Sequence, residues 1–554
     1  MNLIPINKIQ GEDLWSPLAG ETVRTRGVVT GHSRRGFFIQ DPKPLSNPAI
    51  SDAVFVYSPK RKPPAGVFLE LEAKVIDYVS GDNGKPVTQL KMLDGSLLEE
   101  ETDPIEPFIL TAQNLPLGNS ELAIFLNGLE GMLLGIESGA TFIQASNPFG
   151  DYVVSLKDDA LSEFRTAHGG VVMDAEQSER WFPSFRVIDY ADAPRLNVGA
   201  TLLNTVIGPL NFRSGAYQIA VNHGIDVEPN HIEIQKTTLQ PLEDHLTILT
   251  LNSFNLDVQI ESAEKVKNPS LDIDDDVGDG RFDSLAKAVV SQAGSPDIIA
   301  LQEIQDNDGA ELSTEVEANK TLQLLAQVIG NIGGPDYAWV DVAPELDSDG
   351  GQPGGNIRNA YLYNKDRVEL IEDSVARLGE NSAAFEDSRK PLVAQFKLKT
   401  RATPLAMVNV HLASKRHQHS IFSPENPGFD PQLNRRVEQA KIVRDWILEL
   451  DTQGIDYLVT GDFNDFEDSP TLRAMLGDES ANLVKSLPKQ ERYDYNHRGK
   501  LHVLMHALVG KTLVANQRAE YEILHGNELL GVRPGDLGTK PSDHAYVISR
   551  IKMA

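Results

Sequence analysis

The chain has no cysteine among its 554 residues, so neither a disulfide framework nor a thiolate metal site can form. It also has no apolar run approaching the roughly 20 residues that cross a bilayer, so no membrane-spanning helix is expected. Its opening stretch, Met1 to Gly11, lacks the basic segment and apolar stretch of a signal peptide. That start fits a cytoplasmic protein, or an extracellular or periplasmic one whose leader has been removed. Basic residues are in deficit, 51 against 80 acidic, for a net charge of −29. Such a charge favours solubility and repels polyanions at long range, so a nucleic-acid partner would need local cations or bridging divalent metal. Also missing are a Gly-x-Ser-x-Gly elbow, a Walker loop and a His-Glu-x-x-His pair. Serine-elbow, cysteine, P-loop and zincin chemistries are excluded together.

What is present is the composition of a multidomain globular protein, 40% hydrophobic and 24% charged. Residues 20–95 alternate with period two between Gly, Pro and Asp turns, as in Thr22–Val29, Gly36–Gln40, Ala53–Tyr57, Val67–Ile76 and Val87–Leu90. Five short strands predict a small closed barrel of OB type, a fold that commonly holds oligonucleotides or oligosaccharides. Arg34 and Arg35 beside Phe37 and Phe38 suit single-stranded nucleic acid, unless both rings belong to the barrel core, which is the commoner arrangement.

Residues 104–243 remain β-rich with glycine turns and carry no catalytic constellation. From 244 onward, strands alternate with helices: Leu246–Phe254, Arg281–Ser291, Asp297–Leu301, a helix from Arg436 to Leu450, then Ile455–Thr460. The expected division is therefore 1–103, 104–243 and 244–554: a barrel, a second β module and an α/β domain. Two acidic loops, Asp272–Asp276 and Glu345–Asp349, depart from the EF-hand pattern, with Val277 at the turn-glycine position, and read as solvated surface.

The chemistry gathers where apolar runs stop. In order come Thr250-Leu-Asn-Ser-Phe-Asn255, Asp297-Ile-Ile-Ala-Leu-Gln-Glu303, Val408-Asn-Val-His411, Gly461-Asp-Phe-Asn464 and Ser542-Asp-His544. Loops at strand ends are where α/β proteins build their sites. Asn252, Glu303, Asp462, Asn464 and Asp543 supply the hard oxygens that Mg²⁺, Mn²⁺ or Ca²⁺ prefers. His411 and His544 add groups that exchange protons near neutrality. A hard metal with flanking histidines suits phosphoester hydrolysis.

These motifs make the second half, roughly 245–554, similar to the endonuclease/exonuclease/phosphatase superfamily, which includes pancreatic deoxyribonuclease and abasic-site endonucleases. Gly354-Gly-Asn-Ile-Arg358, Leu362-Tyr363, Ser388-Arg-Lys-Pro-Leu392, His411-Leu-Ala-Ser-Lys415, Asn464-Asp-Phe-Glu467 and Glu491-Arg-Tyr-Asp-Tyr495, with the OB-like start, resemble bacterial extracellular nucleases. The resemblance implies a four-layer α/β sandwich. It implies Glu303 as principal metal ligand, with Asn252 and Asp543, for Mg²⁺ or Mn²⁺, Ca²⁺ being a further candidate. It implies Asp462 and Asn464 as the pair orienting water and holding phosphate, His544 as the group polarising water or phosphoryl oxygen, and His411 as the acid for the leaving oxygen. Asn252, Asn255, Arg358, Tyr363 and Arg389 are implied as substrate contacts. The implied activity is hydrolysis of phosphodiesters, with DNA as substrate and little sequence specificity; a non-nucleic-acid phosphoester is the alternative substrate. One departure stands out. In the family, a Leu-Asp-His-Ala-Leu-like segment supplies the aspartate that orients the last histidine, whereas this chain reads Leu504-Met-His-Ala-Leu508. Methionine cannot accept an imidazole N–H usefully, so three outcomes are open: His544 borrows another carboxylate, turnover is slow, or the site is degenerate and the protein only binds.

Overall fold

A computed structural model describes residues 2–43, 47–81, 84–97, 104–157, 159–174, 180–533 and 540–554. Strands Thr22–Ser33, Gly36–Gln40, Ala53–Tyr57, Phe68–Tyr78 and Val87–Leu97 close into a barrel in the spatial order first, second, third, fifth, fourth. Alternating side chains of these strands (Val23, Phe37, Ile39, Val54, Leu69, Leu71, Val75 and Leu90) fill its interior. Phe37 and Phe38 are 0% and 1% exposed, and the Arg34 guanidinium lies over Tyr190, 4.5 Å from the ring centroid. Both rings are buried, so neither is open to stack on a base. The expected boundary at residue 103 lies outside the described residues.

The next segment builds a nine-stranded sheet over Phe108–Glu228, backed by the helix Asn119–Gly128. Its core collects Leu122, Leu126, Leu134, Phe142, Tyr152, Phe185, Leu210 and Tyr217. The barrel is locked to it by the buried Lys85–Glu130 ion pair at 2.5 Å and by His32 N–H donating to Asn222 Oδ1 at 2.7 Å.

The second half is an α/β sandwich of two six-stranded sheets. The first runs Tyr337–Asp341, Arg358–Asn364, Ile298–Ile304, His245–Leu256, Tyr546–Lys552, Ala519–Leu524. The second runs Val368–Arg377, Leu392–Leu398, Leu405–His411, Tyr457–Asp462, Met505–Gly510, Ser480–Asn482. Ile248, Ala300 and Tyr361 of one face Ala394, Met407, Leu458 and Ala507 of the other. Phe282, Leu285, Leu322 and Ile329 cover the first sheet outside, and Ala440, Val443, Ile447 and Leu450 of the helix Leu433–Gln453 cover the second. Strands buried on both faces admit a polar residue only where it finds a buried partner, so unpaired polar side chains gather near their ends. Each sheet has one central parallel pair, so carboxyl ends coincide: Asn252 lies across from Gln302, and His411 from Asp462. Thr250 Oγ1 to Thr460 Oγ1 at 2.7 Å and Gln302 Nε2 to Asn409 Oδ1 at 2.6 Å tie the sheets together between those ends. No described helix is long and apolar enough to cross a membrane.

Candidate active site

The strand ends converge at one edge of the sandwich. Glu303 lies next to last in its strand at φ 57°, a left-handed backbone uncommon for non-glycine residues. Its Oε1 accepts from Asn252 Nδ2 at 3.1 Å, and Asn252 Oδ1 accepts from Phe254 N–H at 2.9 Å, where the chain also turns left-handed at Phe254 and Asn255. Across the gap, His411 Nε2 lies 3.7 Å from Glu303 Oε1 and 3.8 Å from Asp462 Oδ2. Asp462 Oδ1 accepts from Asn464 N–H at 2.8 Å, and Asn464 Nδ2 donates to the Leu412 carbonyl at 3.1 Å. Gly461 is required here: its φ is 135°, and a Cβ would sit 2.0 Å from the Val410 carbonyl oxygen of the parallel neighbour. His544 Nε2 completes the ring, 3.8 Å from Asp462 Oδ2 and 3.9 Å from Asp543 Oδ1. Separations near 3.8 Å are too long for hydrogen bonds and leave the facing atoms open to a ligand.

The missing partner of His544 is not missing. Asp494 Oδ1 sits 2.9 Å from His544 Nδ1, and its Oδ2 accepts from the main-chain N–H groups of Leu504 at 2.8 Å and Met505 at 3.0 Å. The carboxylate thus sits against the main chain at the start of the Met505–Gly510 strand, reaching it from a different segment. Met505 itself is fully buried in the inter-sheet core. Of the three outcomes open at the sequence, a borrowed carboxylate is the one the geometry provides. Tyr495 stacks on the other side of the ring, centroids 4.8 Å apart and planes 25° from parallel. Nothing in the Glu491–Tyr495 segment marks Asp494 or Tyr495 for this role, because a carboxylate near a histidine in space leaves no spacing signal in the chain.

The charges explain one another. Burial pushes Glu303 up to about 7, with the Asp543 and Asp462 carboxylates adding to the rise. Burial also raises Asp462 against the pull of His544. Burial disfavours a charged His544, yet Asp543, the Asp494 hydrogen bond and Asp462 outweigh it and carry the ring up to about 10. His411 goes the other way: burial, then the Arg389 and His544 cations, hold it well below the ordinary histidine value, and its Nδ1 has no partner. Carboxylates that resist joint ionisation, presenting hard oxygens to one space, fit a divalent cation. A carboxyl whose pKa rises on folding binds its proton more tightly in the folded state. The metal-free protein therefore loses stability as pH climbs from the unfolded value of 4.5 through about 7. Proton and metal compete for Glu303, so Mn²⁺ affinity measured by calorimetric titration should be about tenfold weaker at pH 6 than at pH 8.

Two expected substrate contacts are corrected. Arg358 is 2% exposed and committed to Asp341 Oδ2 at 3.2 Å and to the carbonyls of Val316 and Asn356. Tyr363 pairs with Ile298, at the far end of the Glu303 strand, and packs on Phe396. A motif fixes neither the direction nor the partners of a side chain. Arg358→Ala should lower folding stability by about 3–5 kcal/mol, the cost of orphaning a buried charge, in a urea titration, with KM unchanged. Arg389 lies closer to the site: buried and charge-coupled to Glu303 and Asp462, it donates to the Leu412 carbonyl at 2.9 Å, and its Nε, like that of Arg358, has no partner. Asn255 lies at the left-handed turn three residues beyond Asn252. The acidic loops meet the expectation only in part: Glu345 and Asp347 are exposed, and Asp272, Asp274 and Asp275 half-buried. Asp276 and Asp349 are 1% and 2% exposed, bound to Arg281 and to Lys390. Oxygens of Asp257, Glu261 and Asp274 lie within 4.8 Å of one another.

A family model described as the Endonuclease/Exonuclease/phosphatase family matches residues 253–544, more than half of the chain. A second, described as a domain of unknown function, matches residues 121–230. No curated protein matches the chain. Among solved structures, similarity extends to a humanized D. rerio TDP2 carrying 14 mutations, with 17% identity over 55% of this chain and 98% of that one and a TM-score of 0.36. It extends to the human Nocturnin catalytic domain with bound sulfate, with 13% identity over 56% and 96% and a TM-score of 0.37. It also extends to an endonuclease/exonuclease/phosphatase from Bacteroides vulgatus, with 14% identity over 56% and 99% and a TM-score of 0.35.

Proposed function

The chain belongs to the endonuclease/exonuclease/phosphatase family, and from that premise we propose that it is a divalent-metal-dependent nuclease that hydrolyses DNA phosphodiesters with little sequence specificity. The single observation that carries the reading is the convergence of Glu303, Asp462, His411 and the Asp494-anchored His544 on one space. Glu303, with Asn252 and Asp543 beside it, would hold Mg²⁺ or Mn²⁺, with Ca²⁺ a further candidate. Such an ion, when bound, neutralises phosphoryl oxygens and acidifies coordinated water. Asp462, braced by the Asn464 N–H, orients the attacking water. His544, charged at neutral pH with its Nδ1–H spent on Asp494, presents Nε2–H to a phosphoryl oxygen. His411, neutral until a phosphate anion arrives and raises its pKa, then protonates the departing oxygen. Arg389 offers its open Nε to phosphate.

DNA as substrate is favoured by the architecture: a closed five-stranded barrel over Thr22–Leu97, the strand number of an OB-fold, and a β module over Phe108–Glu228, both ahead of the catalytic unit. A non-polymeric phosphoester is the second reading, favoured by the net charge of −29 and the buried Phe37 and Phe38. Plasmid DNA, single-stranded DNA, RNA and a small phosphodiester, each assayed with Mg²⁺, Mn²⁺, Ca²⁺ and chelator, separate the two. The proposal expects metal-dependent plasmid nicking that Glu303→Gln removes. Turnover of the small ester alone transfers the assignment to the second reading, and no turnover anywhere sinks both.

A further inference from the structure

The segment that carries Asp494 and Tyr495 is held from outside the catalytic sandwich. Strands Tyr495–His497 and Lys500–His502 form a small hairpin that belongs to neither large sheet. Leu501 N–H donates to the Val171 carbonyl at 2.9 Å, and its own carbonyl accepts from Met173 N–H at 3.0 Å, a parallel bridge to the middle β module. Asn496 Nδ2 donates to the Ile143 carbonyl at 2.9 Å, and the His502 ring meets the Met173 carbonyl at 3.1 Å. Leu501 and Tyr493, both fully buried, pack with Ala145 and Val198 of the module and with Leu529. The same module takes hold of two more loops at this edge. Val198 N–H donates to the Leu529 carbonyl at 3.0 Å, and Ser146 Oγ to the Val532 carbonyl at 2.7 Å, beside Asn527, whose Nδ2 donates to the His544 carbonyl at 3.1 Å. Phe422, downstream of His411, inserts into the module's core against Tyr217, centroids 5.0 Å apart.

We propose that the middle β module is a working part of the active site: by gripping the hairpin it positions Asp494 and Tyr495, and through them His544. A two-stranded hairpin is marginal by itself, so the precision of the Asp494–His544 contact depends on what the hairpin leans against. The orienting carboxylate, moved off the rigid Met505–Gly510 strand, has made catalysis depend on a neighbouring module. Asn496 and Val198 are then positioning residues, and disturbing them acts on turnover more than on substrate binding, because the disturbed groups serve the transition state. The inference rests on the proposed hydrolase reading for its kinetic arm only.

The test uses the full chain. Asn496→Ala and Val198→Ala are each made in the native background and in an exchanged background, Asp494→Ser with Met505→Asp, which returns the carboxylate to the strand. In the native background each should lower kcat about tenfold or more with KM changed less than twofold. In the exchanged background each should cost less than twofold. Equal losses in both backgrounds, or a change confined to KM, overturn the proposal. If the exchanged protein is inactive, the kcat-against-KM split in the native background decides alone. Hydrogen exchange supplies an arm independent of activity. The Leu504 and Met505 amides, which bond Asp494, should exchange faster in Asn496→Ala while the buried Leu405–His411 strand does not. Unchanged protection at Leu504 and Met505 overturns the proposal even if no phosphoester is ever cleaved, and lost protection upholds it.

Discussion

Glu303→Gln is expected to reduce turnover by about 10³-fold or more while the folded state survives, read by steady-state kinetics beside a thermal melt. The size follows from removing one anionic metal ligand where several kcal/mol of charge stabilisation is made, at 1.36 kcal/mol per tenfold. Glutamine keeps the volume and the left-handed turn's side chain, so no cavity opens. It also removes a carboxylate that Asp543 and Asp462 oppose. The metal-free variant should therefore melt no lower than wild type at pH 8, and Mn²⁺ should no longer raise its melting temperature. Wild-type turnover in this variant would remove Glu303 from the metal site and, with it, the central element of the functional reading.

Asp494→Asn is the second large effect. The carboxylate fixes the His544 tautomer, favours its charged form and bonds two main-chain N–H groups. An amide can offer the ring its NH₂ in place of an acceptor, and it brings no charge. In a hydrolase triad the comparable change costs about 10⁴ in rate, and a loss of about 10²–10⁴ in kcat is expected here with KM little altered. The pH profile should change with it. A His544 that loses its partner drops from about 10 toward neutrality, so activity remaining in the variant falls as pH rises through that lower value. A profile identical to wild type would show that Asp494 does not orient His544. Met505→Asp alone should lower stability and not raise activity. It places a second carboxylate beside Asp494, among fully buried apolar side chains, where an unpaired charge is costly.

Much of this site was legible in the chain. Asn252, Glu303, His411, Asp462 and Asn464 follow apolar runs and Asp543 and His544 precede one, and burial on both faces of a central strand favours its ends as the place for an unpaired polar side chain. The barrel strands were legible for a related reason: period-two alternation maps onto one filled interior and one wetted exterior. Arg358 and Tyr363 mark the limit of that kind of inference. A residue inside a motif points either into the site or away from it depending on pleat and strand direction, and Asp341 and Phe396 decided both cases.

By itself, the sequence determined the α/β character of the second half, the β character of the first, the strand-end residues and the hard-donor chemistry, because local periodicity and burial are properties of adjacent residues. Only the tertiary structure decided that Asp494 is the carboxylate on His544, that Arg358 is an internal brace, and that the middle module contacts the hairpin next to Asp494. Those are contacts between segments 10 to more than 300 residues apart. They arise from how packed layers bring separate loops together, a cause that leaves no spacing pattern along the chain.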